Sequence, residues 1–357
     1  MQLALIGLPA SGKTTVFNAI TGAGLPTGPL GAGGRPEAHT AVVDVPDSRL
    51  EAISARFRPR KTVYAKVAFV DFAGMKLAAG REGISPQLLR QLAQADGFMH
   101  VVRAFDDAGT PHPAGSVDPA RDLAALHTEL LLNDMVVVER RLERLAEERQ
   151  KGGRDRSTVE RETALFRRLA DCLAAEVPLR TLDLHPEERR LLAGFGLLTL
   201  KPILAVINLA EGQPAPDLGP PPPGAAMLAL QGQLESEIAQ LSAEDIPAFL
   251  AEYGLDEPGS KRVIRAAYDL LGYQTFFTLN EEEAHAWRLR RGGTALEAAA
   301  TVHTDLARGF IRAEIIAWDE LLELGGMAEA RARGRLRVEG KDYPVAEGEV
   351  VHIRFNV

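Results

Sequence analysis

Residues Gly7-Leu8-Pro9-Ala10-Ser11-Gly12-Lys13-Thr14 fit the pattern G-x-x-x-x-G-K-[ST], and no other feature restricts the fold of this chain as much. The apolar run Leu3–Ile6 precedes them, and a helical pattern with Val16, Phe17 and Ile20 on one face follows. A strand, a glycine-bearing turn and a helix is the setting in which such a loop cradles phosphates: backbone N–H groups wrap the anion and the helix N-terminus adds partial positive charge. In that setting Gly7, Pro9, Ala10, Ser11, Gly12, Lys13, Thr14 and Thr15 contact the phosphates. Lys13 reaches the β- and γ-phosphates, and Thr14 supplies a hydroxyl to Mg²⁺. The alternative is a chance glycine-rich turn.

The remaining pattern extends this to an α/β fold. Thr40–Val45, Val63–Val70, Phe98–Val102 and Ile203–Ile207 read as strands between helical stretches, which implies a doubly wound, mostly parallel sheet. Leu131, Met135, Val138, Leu142 and Leu145 form a heptad seam, broken at Lys151-Gly152-Gly153, and Val159, Phe166, Leu169 and Leu173 resume helical spacing. The expectation is an inserted coiled-coil α-hairpin. Six prolines between 214 and 223 mark a restricted loop, Lys261–Leu271 is helical, and from Tyr273 onward short strands suggest a small β-rich domain. The expected boundaries are 1–124 with 195–272 for the nucleotide-binding domain, 125–194 for the hairpin, and 273–357 for the C-terminal domain.

Two further motifs sit at strand ends. Asp71-Phe72-Ala73-Gly74 closes the second long strand, where Asp71 can hold Mg²⁺ and the Gly74 N–H can meet a γ-phosphate. Asn208-Leu209-Ala210-Glu211 follows Ile203–Ile207, where a guanine-specific protein carries N-K-x-D. Leu209 and Glu211 in place of Lys and Asp weaken the case for guanine. On spacing alone each is also compatible with a cap or turn.

Composition narrows the setting. The 357 residues are 46% hydrophobic and 25% charged, as in soluble globular proteins, and Cys172 is the single cysteine, so neither an internal disulfide nor a cysteine metal site is possible. No signal peptide or membrane span is expected, and a reducing cytoplasm fits. The formal net charge of −8 disfavours nucleic-acid binding by the whole surface. Ten Arg/Lys against seven Asp/Glu between Glu139 and Arg168 still leave the hairpin at +3. Arg154 and Arg156 fall at its tip, where they either meet RNA phosphates or belong to a solvated face of paired charges.

Taken together, the stretches GLPASGKTTVFNAITGAG, FVDFAG, LTLKPILAVINLAEG, RVIRAAYDLLGYQTFFT, VHTDLARGFIRAEII and VEGKDYPVAEGEVVHIRFNV resemble the YchF (Obg-like ATPase) family over nearly the whole chain. The resemblance implies a nucleotide-binding domain, an inserted coiled-coil hairpin and a C-terminal TGS domain. It implies slow hydrolysis of ATP in preference to GTP with Mg²⁺, and association with ribosomes through hairpin and TGS domain; a monomer is expected. It places base contacts at Asn208, Glu211 and Gln231. An apolar residue, here Met75, stands where related enzymes have a water-positioning Gln, and the resemblance assigns that role to His112 on a loop, as a catalytic residue beside Lys13. The alternative is an ordinary exposed histidine between Pro111 and Pro113. The chain departs from the family at Ala10, usually Asn, and in the Gly24–Pro36 segment, where Arg35 aligns roughly with a Thr. Two other readings stay open: a small-molecule kinase with a similar phosphate loop, though no Arg-bearing lid is evident, and a nucleotide-binding scaffold that scarcely hydrolyses.

Overall fold

Residues 1–27, 37–73, 84–221 and 224–356 are described by the structure, a computed structural model. The segment Gly28–Pro36, Gly74 and Met75, and Pro222 and Pro223 lie outside these residues.

The chain opens with strand β1 (Gln2–Ile6) and helix α1 (Lys13–Thr21). β2 (Glu37–Asp44), α2 (Ser48–Phe57), β3 (Lys61–Val63) and β4 (Lys66–Ala73) follow. α3 (Pro86–Gln94) begins at Ser85, whose hydroxyl caps the Leu88 N–H, with Pro86 in the first turn. It leads to β5 (Gly97–Arg103), buried along its whole length. The long helix α4 (Pro119–Lys151) is capped by Asp118 and ends at Gly152, whose φ of 71° suits glycine; α5 (Arg156–Ala174) then returns. α6 (Pro186–Leu192) precedes β6 (Ile203–Asn208), β7 (Ala225–Leu230), α7 (Gly232–Ile238), α8 (Ile246–Glu252) and α9 (Gly259–Leu270). The last part comprises β8 (Tyr273–Leu279), β9 (Glu283–Arg290), α10 (Ala295–Val302), α11 (Thr304–Arg308), β10 (Phe310–Ala317), α12 (Trp318–Leu324), α13 (Met327–Ala332), β11 (Arg337–Glu339) and β12 (Glu349–Phe355).

The chain divides into two units: 1–41 with 68–263, and 42–67 with 264–357. The first carries the sheet with strand order β2-β4-β1-β5-β6-β7, in which β4, β1, β5, β6 and β7 pair in parallel. β1 and β5 are its buried middle, and their carboxyl ends deliver Gly7 and Ala104 to the same edge. The switch from β1 outward to β4 on one side and β5 on the other opens the crevice where such sheets bind ligands.

The two hairpin helices join through Leu131, Val138, Leu145, Val159, Phe166 and Leu169, all buried. The seam predicted from the heptad spacing therefore faces α5, with Met135 and Leu142 at its margin. Near the tip, Arg141 and Arg154 both bond Glu148 and Glu162, at 2.7–3.0 Å, and clamp α4 to α5. At the other end Asp134, fully buried, accepts from the Leu198 and Thr199 N–H groups (2.8 and 2.7 Å) and from the Thr199 hydroxyl (2.6 Å). It anchors α4 to the segment that re-enters the sheet.

The second unit has the strand order β11-β10-β12-β8-β9-β3. β3 joins it by pairing in parallel with β9, Lys61 opposite Glu283 and Val63 opposite His285. The single strand expected over Val63–Val70 is thus two: β3 belongs to the second sheet, and the chain turns at Tyr64-Ala65 before β4 enters the first. α2 is part of this unit also, with Leu50 and Ile53 fully buried, and Arg49 ion-paired to Glu347 at 2.6 Å. β7 is a strand that the sequence pattern does not reveal.

Candidate functional site

The turn after β1 is built for close approach. Gly7 has φ 152°, and a Cβ there would lie 2.4 Å from the Val101 carbonyl oxygen; Gly12 has φ 86°, and its Cβ would lie 2.1 Å from Asn208 Nδ2. Neither position admits a side chain. Ala10 also takes a positive φ, 62°, at a cost of roughly 1–2 kcal/mol for a residue with a Cβ. Lys13 folds back so that Nζ donates to the carbonyls of Gly7 (3.1 Å) and Leu8 (3.0 Å). Burial pushes its ammonium down to about 8, and the Asp71 carboxylate offsets part of that shift. Pro9 and Thr15 are half-buried in the loop and the first turn of α1.

Asp71 reaches this loop from the end of β4. Its Oδ2 accepts from the Thr14 hydroxyl at 2.7 Å, whereas Oδ1, fully buried, has no partner among the described residues. The Ser11 hydroxyl is likewise buried and unpartnered among the described residues. Such orphans are costly unless a ligand completes them. A carboxylate and a hydroxyl in contact, one carboxylate oxygen free, fit a Mg²⁺ that takes its other ligands from phosphate and water. Gly74 lies outside the described residues. His100, fully buried on β5, has an unpartnered Nε2, and burial with the nearby Lys13 charge pushes its pKa down to about 3. A neutral imidazole there adds no positive charge beside Lys13.

Asn208 acts as a strut. Its Nδ2 donates to the Ser11 carbonyl (3.1 Å) and its Oδ1 accepts from the Gly232 N–H (3.1 Å), joining the phosphate loop to the start of α7. Gln231, next to Gly232, accepts from the Gly212 N–H at 3.2 Å, so the segments bearing Asn208, Glu211 and Gln231 are drawn together. Glu211 is exposed, and its charge, foremost, raises the pKa of the Tyr253 phenol. Leu209 is buried among Val102, Ala104 and Ile207. A lysine could not take that place without losing its solvation.

His112 stands apart from this group, with no hydrogen bond to the phosphate-loop residues among the described residues. It is 8% exposed, not the open loop residue that its proline neighbours suggest. Its Nε2 lies 2.9 Å from Asp122 Oδ2, and its Nδ1 accepts from the Ala114 N–H at 3.1 Å. One residue couples its loop to the phosphate loop. The Arg103 guanidinium, 2% exposed, donates to the carbonyls of Phe105 (3.0 Å), Thr110 (2.9 Å) and Ala10 (3.4 Å) and lies over the Phe105 ring. The sequence reading missed Arg103 and Asp122. An arginine closing a strand that is apolar but for His100 was the available signal for the first.

Known proteins resemble this chain along its length. A family model described as 50S ribosome-binding GTPase matches residues 2–140, and one described as YchF-GTPase_C, a protein of unknown function, matches 273–356. The ribosome-binding ATPase YchF of Bacillus subtilis is 38% identical, over 99% of this chain and 98% of that protein. The protein of the same name from Mycoplasma genitalium is 32% identical over the full length of both. The solved structure of the Schizosaccharomyces pombe YchF GTPase superimposes with a TM-score of 0.85 at 28% identity, covering 99% of this chain and 97% of that one. Among the described residues no helix is long and apolar enough to cross a membrane.

Proposed function

Since this chain belongs to the YchF family, we propose that it is a ribosome-associated P-loop nucleotide hydrolase, a switch that binds ATP with Mg²⁺ and hydrolyses it slowly. The observation that carries this reading is the unfinished cradle at the end of β1. There Lys13 is held on loop carbonyls, and buried oxygens of Ser11 and Asp71 lack partners among the described residues. A bound triphosphate would draw Lys13 from those carbonyls. Thr14 and Asp71 would hold the metal, which neutralises phosphate charge. Removing the ammonium by Lys13→Ala is expected to lower triphosphate affinity at least a hundredfold, measured with a fluorescent nucleotide; unchanged affinity would refute the assignment.

ATP is the preferred substrate in this reading, because Leu209 is committed to the core and Glu211 replaces the shorter guanine-reading Asp. Calorimetric titration with both nucleotides should find ATP bound at least as well as GTP. A tenfold preference for GTP, about 1.4 kcal/mol, would contradict it.

The ribosome is met through the α-hairpin and the C-terminal unit, in the cytoplasm, by a monomer. Arg154 is taken up by Glu148 and Glu162, and Arg156 pairs with Glu160 at 2.9 Å. The exposed Arg140, Arg144 and Arg149 of α4 are the better candidates for RNA phosphates. Charge reversal of these three should weaken co-sedimentation with ribosomes and flatten its salt dependence, with ATP affinity kept. Wild-type protein remaining in the supernatant at low salt in every nucleotide state would refute this partner. A scaffold with little hydrolysis is the second reading, favoured by the engagement of both His112 ring nitrogens.

A further inference from the structure

His112 is fixed in a way that settles its tautomer. Nδ1 faces two donors, the Ala114 N–H at 3.1 Å and the Arg121 guanidinium at 3.5 Å, so it presents its lone pair to them. Nε2 therefore carries the proton and donates it to Asp122 Oδ2 at 2.9 Å. No lone pair and no N–H of the ring is left for a water, and both side chains are almost wholly buried, 3% and 4% exposed. The carboxylate is itself held. Asp122 Oδ1 accepts from Arg121 Nε (3.0 Å) and Nη2 (2.8 Å), and Arg121 is braced by the Ser116 carbonyl at 2.8 Å.

We infer that Asp122 is a latch: a positioning residue that parks His112 where it cannot act on a water, and whose release switches hydrolysis on. The inference rests on the reading of His112 as the group that orients the attacking water. Two routes could free a ring nitrogen. The imidazole could keep Asp122 and give up Ala114, or leave Asp122 altogether. The Arg121 clamp favours the second. When the imidazole departs, the carboxylate retains two guanidinium hydrogen bonds and is not stranded as an uncompensated buried charge. Asp122 also lies in the first turn of α4, its N–H bonded to the Asp118 carbonyl at 3.1 Å. The latch is thus mounted on the helix that runs to the hairpin tip, and a partner gripping the hairpin acts on the same helix.

Single-turnover ATP hydrolysis with saturating Mg²⁺, alongside nucleotide affinity, tests this in the full chain. In Asp122→Asn the amide either turns its NH₂ toward the imidazole N–H, which breaks the latch, or keeps its oxygen there as a neutral acceptor and turns the NH₂ on the Arg121 guanidinium, which breaks the clamp; in both cases the charged hydrogen bond that holds His112 is lost. Asp122→Asn is expected to raise the rate roughly ten- to a hundredfold, the scale of one lost charged hydrogen bond, with affinity within about twofold. His112→Ala should fall below wild type, and Asp122→Asn/His112→Ala should fall to the level of His112→Ala. A gain that vanishes with His112 cannot come from a loosened fold. If Asp122→Asn folds poorly, Asp122→Ser, too short to span to the imidazole, serves with the same expectations. A rate unchanged or lowered in the folded variant overturns the latch and, if lowered as far as in His112→Ala, makes Asp122 an orienting partner instead. His112→Ala at the wild-type rate is a separate result: it removes the reading of His112 itself, and the latch with it.

Discussion

Lys13 ties the phosphate loop to a measurable proton. Its pKa is about 8 in the folded protein without nucleotide, against 10.5 ordinarily, and burial is the main cause. Between those values the folded state binds fewer protons than the unfolded, so this group's contribution to the stability of the unliganded protein rises with pH from 8 to 10.5. Triphosphate restores the charge, so binding takes up a proton in that window, and affinity should fall above pH 8 by up to about tenfold per unit. Calorimetry at pH 9 in two buffers of different ionisation enthalpy should give different heats; identical heats would remove the argument. Ala10 offers a second test at this scale. With φ at 62°, Ala10→Gly should stabilise the protein by about 1 kcal/mol in denaturant unfolding. The phosphate-loop residues are legible in the sequence because loop geometry is local and each glycine has a steric reason. The parts played by Arg103, by the Asn208 strut and by Asp122 are not, since the Ala10 and Ser11 carbonyls, the Gly232 N–H and the His112 imidazole are brought up to them only by the fold.

The hairpin illustrates the same division among elements. Its seam follows from heptad spacing, and the break at Gly152-Gly153 from glycine's freedom at positive φ. Its footing does not. Asp134 reads as one more polar residue of a charged helix, yet it takes three hydrogen bonds from Leu198 and Thr199. Asp134→Ala would strand those buried donors and is expected to cost about 3 kcal/mol, read as a lower denaturant midpoint at unchanged slope. β7 escaped notice because Ala225–Leu230 has neither β-branched residues nor alternation and follows a proline-rich stretch. β3 escaped because it abuts β4 in sequence: Val63–Val70 is one apolar-tending run, and only pairing divides it.

Over the whole molecule, the second unit takes in residues 42–67, which lie between the phosphate loop and Asp71. Removal of 273–357 would strip β3 of β9 and uncover Leu50 and Ile53 on α2. We expect such a truncation to bind a hydrophobic dye and lose its cooperative melting transition; a soluble fragment with a single sharp transition would count against this. It follows that the C-terminal unit is no cassette. A gene fusion joined at residue 273 would import a body missing α2, β3 and the end of α9, and a gene shortened there would keep two pieces of a structure that it no longer encodes. The second unit straddles the first in sequence, so a recombination that carries it intact as one stretch of coding sequence must take residues 68–263 of the first along with it.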